Sequence, residues 1–114
     1  MRLQQYVCRL VVEAVYSLHV QSNMAHGDIK PDNIMFSENF RPMLIDLGHA
    51  DTLGTRQKKL IGTEVYRAPE MTGRREYLID KVDIYALATT LFAVMFQDLP
   101  GSHVNKTAFN NLYN

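Results

Sequence analysis

The sequence has no tryptophan and one cysteine among 114 residues, and no excess of either charge, with twelve Lys and Arg against twelve Asp and Glu. A lone Cys8 cannot form a disulfide within the chain, so the expected setting is reducing and intracellular, cytoplasmic or nuclear. Balanced charge excludes a global attraction to nucleic acid or to an anionic membrane, and partners have to be sought at local sites. The longest stretch without a charged side chain, Ile84 to Gln97, runs 14 residues, whereas a membrane-spanning helix needs about 20. No basic-then-apolar leader opens the sequence. Asn105-Lys106-Thr107 fits a glycosylation acceptor, which without a secretory signal reads as chance. Repeats, low-complexity tracts and linkers are missing as well. What remains, with a hydrophobic share of 46%, is one small globular domain spanning residues 1–114.

Apolar residues at Leu3, Val7, Leu10, Val11, Ala14, Val15 and Leu18 recur at three- and four-residue steps. That spacing predicts an amphipathic helix over about 3–20, ended by Gln21, Ser22 and Asn23. Pro31 pushes Lys30 away from helical angles and offers no backbone donor, so 26–33 is expected to be a loop. Ile34-Met35-Phe36 and Met43-Leu44-Ile45 read as the two strands of a short hairpin. From 46 to 71 no period persists and Gly48, Gly54, Gly62 and Pro69 punctuate the chain, which predicts a long, functional loop. The stretch 84–96 is apolar almost all round and predicts a helix surrounded by protein, closed by Pro100 and Gly101, with a further helix possible in the Asn-rich tail. The expected class is α+β, mainly helical.

The stretch HGDIKPDNIM, His26 to Met35, gathers Asp28, Lys30, Asp32 and Asn33 within six positions. By itself this suits a polar turn between a helix and a hairpin, where Asp, Asn, Pro and Gly are favoured. It also suits phosphoryl transfer, which needs an acceptor for a hydroxyl proton, a cation on the transferring group and hard oxygen ligands for magnesium. Asp28, Lys30 and the pair Asn33 with Asp46 would supply these in order. Asp46 follows an apolar strand and precedes Leu47-Gly48, where glycine would let the chain turn.

Further along the chain the order continues. His26-x-Asp28-x-Lys30-x-x-Asn33, then Asp46-Leu47-Gly48, then Gly62-Thr63-x-x-Tyr66-x-Ala68-Pro69-Glu70 resembles the motif set of eukaryotic protein kinases, in the serine/threonine branch. The resemblance covers essentially the whole chain. It implies the large, C-terminal lobe of that fold, with a short hairpin and a long activation segment, and ATP and Mg2+ as cofactors. It makes Asp28 the catalytic base, puts Lys30 on the transferring phosphate and gives magnesium to Asn33 and Asp46. Met35 would lie beneath adenine, and Thr63 would help hold the acceptor residue of a protein substrate. His26 would be a packed anchor, Asp83 the anchor of the catalytic-loop backbone, and Glu70 the partner of an arginine that the family carries later.

Departures from that pattern shape the remaining expectations. Gly27 stands where the family usually has an arginine whose fork holds a phosphate, so control by phosphorylation at Thr52 or Thr55 is not expected in the usual way. Arg56, Lys58 and Lys59 read as a solvated basic face. Leu47 in place of phenylalanine keeps apolar packing. The small lobe that covers ATP has no counterpart here and is expected in a full-length parent, so the 114 residues alone should be poor catalysts. Gly27 also raises a resemblance to aminoglycoside- and choline-type phosphotransferases, which often read His-Gly-Asp-x-x-x-x-Asn, but those usually lack a lysine where Lys30 stands, and they lack the segment from Gly62 to Glu70. A third reading is a pseudokinase or interaction module. His19, His49 and His103 have no zinc-like spacing, Tyr66 reads as packing, and Cys8 and the methionines read as core filling.

Overall fold

A computed structural model describes residues 2–73 and 75–97. Helix α1, Leu3–Tyr16, is the amphipathic element that the sequence predicts. The Gln5 side chain accepts the Arg2 N–H at its start, and Val11 and Val15 are its buried residues. The chain then continues as a π-helical turn, Ser17–Gln21, closed by Ser22 N–H on the Ser17 carbonyl at 3.2 Å. The expected extent of about 3–20 therefore holds, but its last turn is wider than an α-helix.

Strand β1, Met24–Ala25, leads into the loop over 26–30, and a 3-10 turn follows at Pro31–Asn33. Lys30 is fully extended at φ −163° and ψ 162°, as a residue before proline should be, and Pro31 occupies the first turn, where its missing N–H costs nothing. Strands β2, Ile34–Phe36, and β3, Pro42–Leu44, form the expected hairpin, with Ile34 opposite Leu44 and Met35 opposite Met43. The second strand lies one residue earlier than its apolar run suggests.

The stretch 46–71 is not the unbroken loop expected from its lack of periodicity. It contains β4, Asp51–Thr52, paired with β1, and β5, Arg56–Gln57, paired with β6, Tyr77–Leu78. Two 3-10 turns follow at Glu64–Tyr66 and Pro69–Thr72. Two-residue strands carry no readable alternation, and they exist here because neighbours on each side supply partners. Leu53 N–H donates to the Asn23 carbonyl at 3.0 Å, Gly54 N–H to Asp80 Oδ1 at 2.8 Å, and Ile79 N–H to the Thr55 carbonyl at 3.1 Å.

Helix α2 spans Ile79–Phe96 and starts five residues before the apolar run, because Asp80, Lys81 and Asp83 mask its first turns in sequence. It ends with Gln97 in the left-handed region. Among the described residues α2 is not surrounded on all sides: Ile84 is 53% exposed and Phe96 43%. Its N-terminal Ile79 and Val82 join Ala25, Ile61, Ala68, Met71 and Tyr77 in one apolar cluster. Its Ala86 and Leu87 join Val11, Val15 and Ile29 in a second. Ala25 and Ile29 are both fully buried, so the loop between them is held at each end by a different half of the core.

Cys8 is half-buried against the Leu91 carbonyl, and burial pushes its thiol up from the ordinary range. No described helix is long and apolar enough to cross a membrane. Pro100, Gly101, His103, Asn105 and the rest of the tail to Asn114 lie outside the described residues.

Candidate active site

His26 is fully buried and uses both ring nitrogens. Nδ1 accepts the Asp28 N–H at 3.0 Å, which leaves Nε2 as the protonated nitrogen donating to the Ile45 carbonyl at 2.7 Å. The neutral ring thus ties the loop to the end of the hairpin, directly before Asp46. Asp83, on the second turn of α2 and 1% exposed, accepts the His26 N–H on Oδ2 at 2.7 Å and the Gly27 N–H on Oδ1 at 2.8 Å. His19, from the π-helical turn, also donates to Oδ2, at 2.7 Å. The sequence reading passed over His19 because it asked only about metal spacing.

Gly27 adopts φ +89°, and a Cβ there would stand 2.7 Å from the His49 carbonyl oxygen and 2.9 Å from the His49 Cβ. Both backbone conformation and space demand glycine. Gly62, at φ +79°, approaches from the other side, 3.0 Å from its own would-be Cβ to the Gly27 carbonyl.

Between these glycines sits Asp28, half-buried. Its Oδ1 accepts the Thr63 hydroxyl at 3.0 Å and its Oδ2 the Asn33 amide at 3.3 Å. Asn33, 6% exposed, also donates to the Asp28 carbonyl at 2.8 Å, so its amide nitrogen is used within the loop and its Oδ1 is left to accept or ligate. Ile45 N–H donates to the Asn33 carbonyl at 2.9 Å, extending the hairpin ladder by one step and placing Asp46 just past it.

Asp46 itself makes the turn, at φ 60°, whereas Gly48 has no left-handed angle; the turn expected at the glycine falls on the carboxylate residue. A non-glycine residue in this region is uncommon, although Asp tolerates it better than most, and such strain collects at functional sites. Asp46 is exposed and its carboxylate makes no hydrogen bond to a described residue. Asn33 Oδ1 and the Asp46 carboxylate are hard oxygen donors, a set that fits magnesium.

Lys30 is half-buried, with no hydrogen bond or ion pair to a described residue, so its ammonium is available. Met35 is 52% exposed on the same hairpin, opposite Met43. Glu70 is exposed on the 3-10 turn Pro69–Thr72, without a described partner. The structure therefore brings together His26, Asp28, Asn33, Thr63 and Asp83 through hydrogen bonds, carries Asp46 just past the hairpin through the backbone, and gives the side chains of Lys30, Met35 and Glu70 no hydrogen bond or ion pair to a described residue.

Arg67 is a further residue that the sequence reading did not single out. Its Nε donates to the Ile61 carbonyl at 3.1 Å and its Nη2 to the Gly62 carbonyl at 3.0 Å, bracing the backbone just before Thr63. A small pocket of about 10 Å³ opens here, lined by Asp28, Ile61, Gly62, Thr63, Tyr66 and Arg67. Burial, and after it the charge of Asp32, pushes the Tyr66 phenol above its ordinary range.

Residues 2–114 match the family model described as protein kinase domain. The PAS domain-containing serine/threonine-protein kinase of Mus musculus is 35% identical over 107 residues, which are 92% of this chain and 8% of that protein. Serine/threonine-protein kinase CHK1 of Saccharomyces cerevisiae is 32% identical over 103 residues, 84% of this chain and 20% of that protein. Serine/threonine-protein kinase pak-1 of Caenorhabditis elegans is 31% identical over 110 residues, 94% and 18%. The chain spans a fifth or less of the length of these relatives.

Proposed function

The chain belongs to the protein kinase family, and from that premise we propose that it is the large-lobe part of a serine/threonine protein kinase, which transfers the γ-phosphate of ATP to protein hydroxyls. The observation that carries this reading is Asp28, whose two carboxylate oxygens each accept from a different donor, Thr63 on Oδ1 and Asn33 on Oδ2. A carboxylate held in this way can accept the proton of a substrate hydroxyl as its oxygen bonds to the γ-phosphorus and the bond to the ADP oxygen breaks. The available Lys30 ammonium neutralises charge on the transferring group. Asn33 and Asp46 are the residues that would hold magnesium, which when bound offsets the phosphate charge. Met35, exposed on the hairpin, is the surface on which adenine would rest.

The segment from Gly62 to Glu70 favours a protein acceptor over a small alcohol. Thr63 touches Asp28 and Arg67 braces the carbonyls before it, so the acceptor-side wall is built into the same network as the base. The lobe that would cover ATP is assigned to a longer parent polypeptide, in keeping with the small share of its relatives that the chain spans. We place that parent inside the cell, in the cytoplasm or nucleus.

Two measurements test the reading against its alternatives. In the parent polypeptide, labelled phosphate offered to a serine/threonine peptide, an aminoglycoside and choline should appear on the peptide; label on the small acceptors would overturn the protein-kinase assignment. For the 114-residue chain, magnesium-ATP should raise the melting temperature, since a ligand that binds only the folded state stabilises it. No shift would favour a pseudokinase or an interaction module.

A further inference from the structure

The stretch that follows the turn at Gly54 carries three cations within four positions. Arg56, Lys58 and Lys59 are all exposed, and none of their side chains has an ion pair or hydrogen bond to a described residue. With Asp51, Thr55 and Gln57 they line one concavity of about 240 Å³, room for about eight waters at roughly 30 Å³ each. Asp51 is the one carboxylate of the six residues, and it is already engaged: its Oδ1 accepts the Thr52 N–H at 2.8 Å and lies 3.5 Å from the Thr55 hydroxyl. A concave surface of one sign concentrates counter-ions. An arginine fork beside two ammonium groups matches the oxygens of a carboxylate or a phosphate.

The backbone beneath these cations is pinned, which sets them apart from a merely solvated basic face. Arg56 and Gln57 pair with Leu78 and Tyr77, the Thr55 carbonyl accepts the Ile79 N–H at 3.1 Å, and the Tyr77 hydroxyl donates to the Lys59 carbonyl. The run stays fixed up to the candidate base. Ile61 is buried, Arg67 holds the Ile61 and Gly62 carbonyls, and the Thr63 hydroxyl donates to Asp28. Lys59 stands four positions before Thr63, at most about 14 Å of extended chain. An extended peptide covers the same distance in the same number of residues, so a side chain within about four positions of an acceptor at Asp28 comes within reach of the cations.

We propose that Arg56, Lys58 and Lys59 form an acid-recognising subsite, which takes a carboxylate or phosphate carried by the protein substrate within about four residues of its acceptor. The proposal rests on the protein kinase reading and deepens it by naming the substrate class. An exposed ion pair is worth up to about fivefold in affinity and weakens as salt rises. The subsite therefore contributes to substrate binding and leaves the chemical step unchanged.

Two measurements separate the subsite from the reading beneath it. The first is NMR titration of the 114-residue chain with three otherwise identical serine peptides, which carry phosphoserine, Asp or Asn three positions before and after the acceptor; it needs no phosphate transfer. Amides of residues 56–59 should shift with the phosphoserine and Asp peptides and not with the Asn peptide, and the double change Lys58→Glu with Lys59→Glu should abolish the response. Both lysines are exposed, and unmoved amides of Ile34 and Leu44 in the hairpin check that the fold is kept. No difference among the peptides, an unchanged response in the double variant, or an equal response to inorganic phosphate at the same concentration would each overturn the subsite. The second is turnover by the parent polypeptide, where KM should be about fivefold lower for the anionic peptides than for the Asn peptide at equal kcat, with the difference lost in the double variant. Equal KM values would also overturn the subsite. Transfer to none of the three peptides would count against the kinase reading itself, whichever way the titration falls.

Discussion

Gly27 lies directly under the backbone of His49, with only 2.7 Å between a would-be Cβ and the His49 carbonyl oxygen, at a φ of +89°. The position is one where the family usually has arginine, and in this chain the turn after Asp46 closes over it. Glycine there is a packing requirement as well as the loss of a phosphate-reading side chain.

Replacing Gly27 with Ala should therefore cost about 1–2 kcal/mol from the left-handed backbone alone, and more because His49 must move. Gly27→Arg should be at least as destabilising and should not confer control by activation-segment phosphate. Urea unfolding midpoints at constant slope measure this. A midpoint unchanged in Gly27→Ala would show that the loop relaxes freely.

Asp83→Ala removes the acceptor for two buried loop amides. Each unsatisfied group costs about 1–3 kcal/mol, so this variant should be among the most destabilised single changes in the chain. Asp83→Asn keeps one acceptor oxygen and should fall between. The order wild type, Asn, Ala in unfolding free energy is the expected result.

Alkaline pH should destabilise the chain. The Tyr77 hydroxyl donates to the Lys59 carbonyl and burial raises its pKa above the ordinary value of 10.0; Tyr66 is raised by burial and then by Asp32. With the folded pKa above the unfolded one, the stability these groups contribute is fully present below pH 10 and is lost as pH rises through the folded value. Melting temperatures between pH 9 and 11.5 should fall, and less steeply in Tyr77→Phe. Equal slopes in the two proteins would rule out Tyr77 as a contributor.

The sequence made the loop legible because Pro31 and the flanking apolar runs mark a loop and hairpin, and Asp28, Lys30, Asn33 and Asp46 are informative enough as residue types to mark a candidate site there. It was silent on His19, whose partner lies 64 positions away and is visible only once α1 and α2 pack. It misplaced the turn at Asp46, since a positive φ at a non-glycine residue depends on tertiary context. It missed β1, β4, β5 and β6 because two residues cannot show a period, and it read Gly27 as a missing arginine because the approach of His49 leaves no mark in composition.

The 114 residues alone should transfer phosphate at a rate near background. Positioning and charge stabilisation carry this reaction, and on the proposed large-lobe reading the chain supplies only part of each. Incubation with labelled ATP, magnesium and a generic protein substrate checks this; ordinary kinase rates that vanish in Asp28→Ala would contradict it.

Asp28 is the centre of the account, and the most direct measurement is transfer of labelled γ-phosphate to a serine/threonine peptide by the parent polypeptide, native against Asp28→Asn. The Asn variant keeps the side-chain shape but is a poor proton acceptor, and a loss of at least about a hundredfold in turnover is expected for removal of a general base. Equal turnover in the two proteins would contradict the assignment of Asp28 as the base.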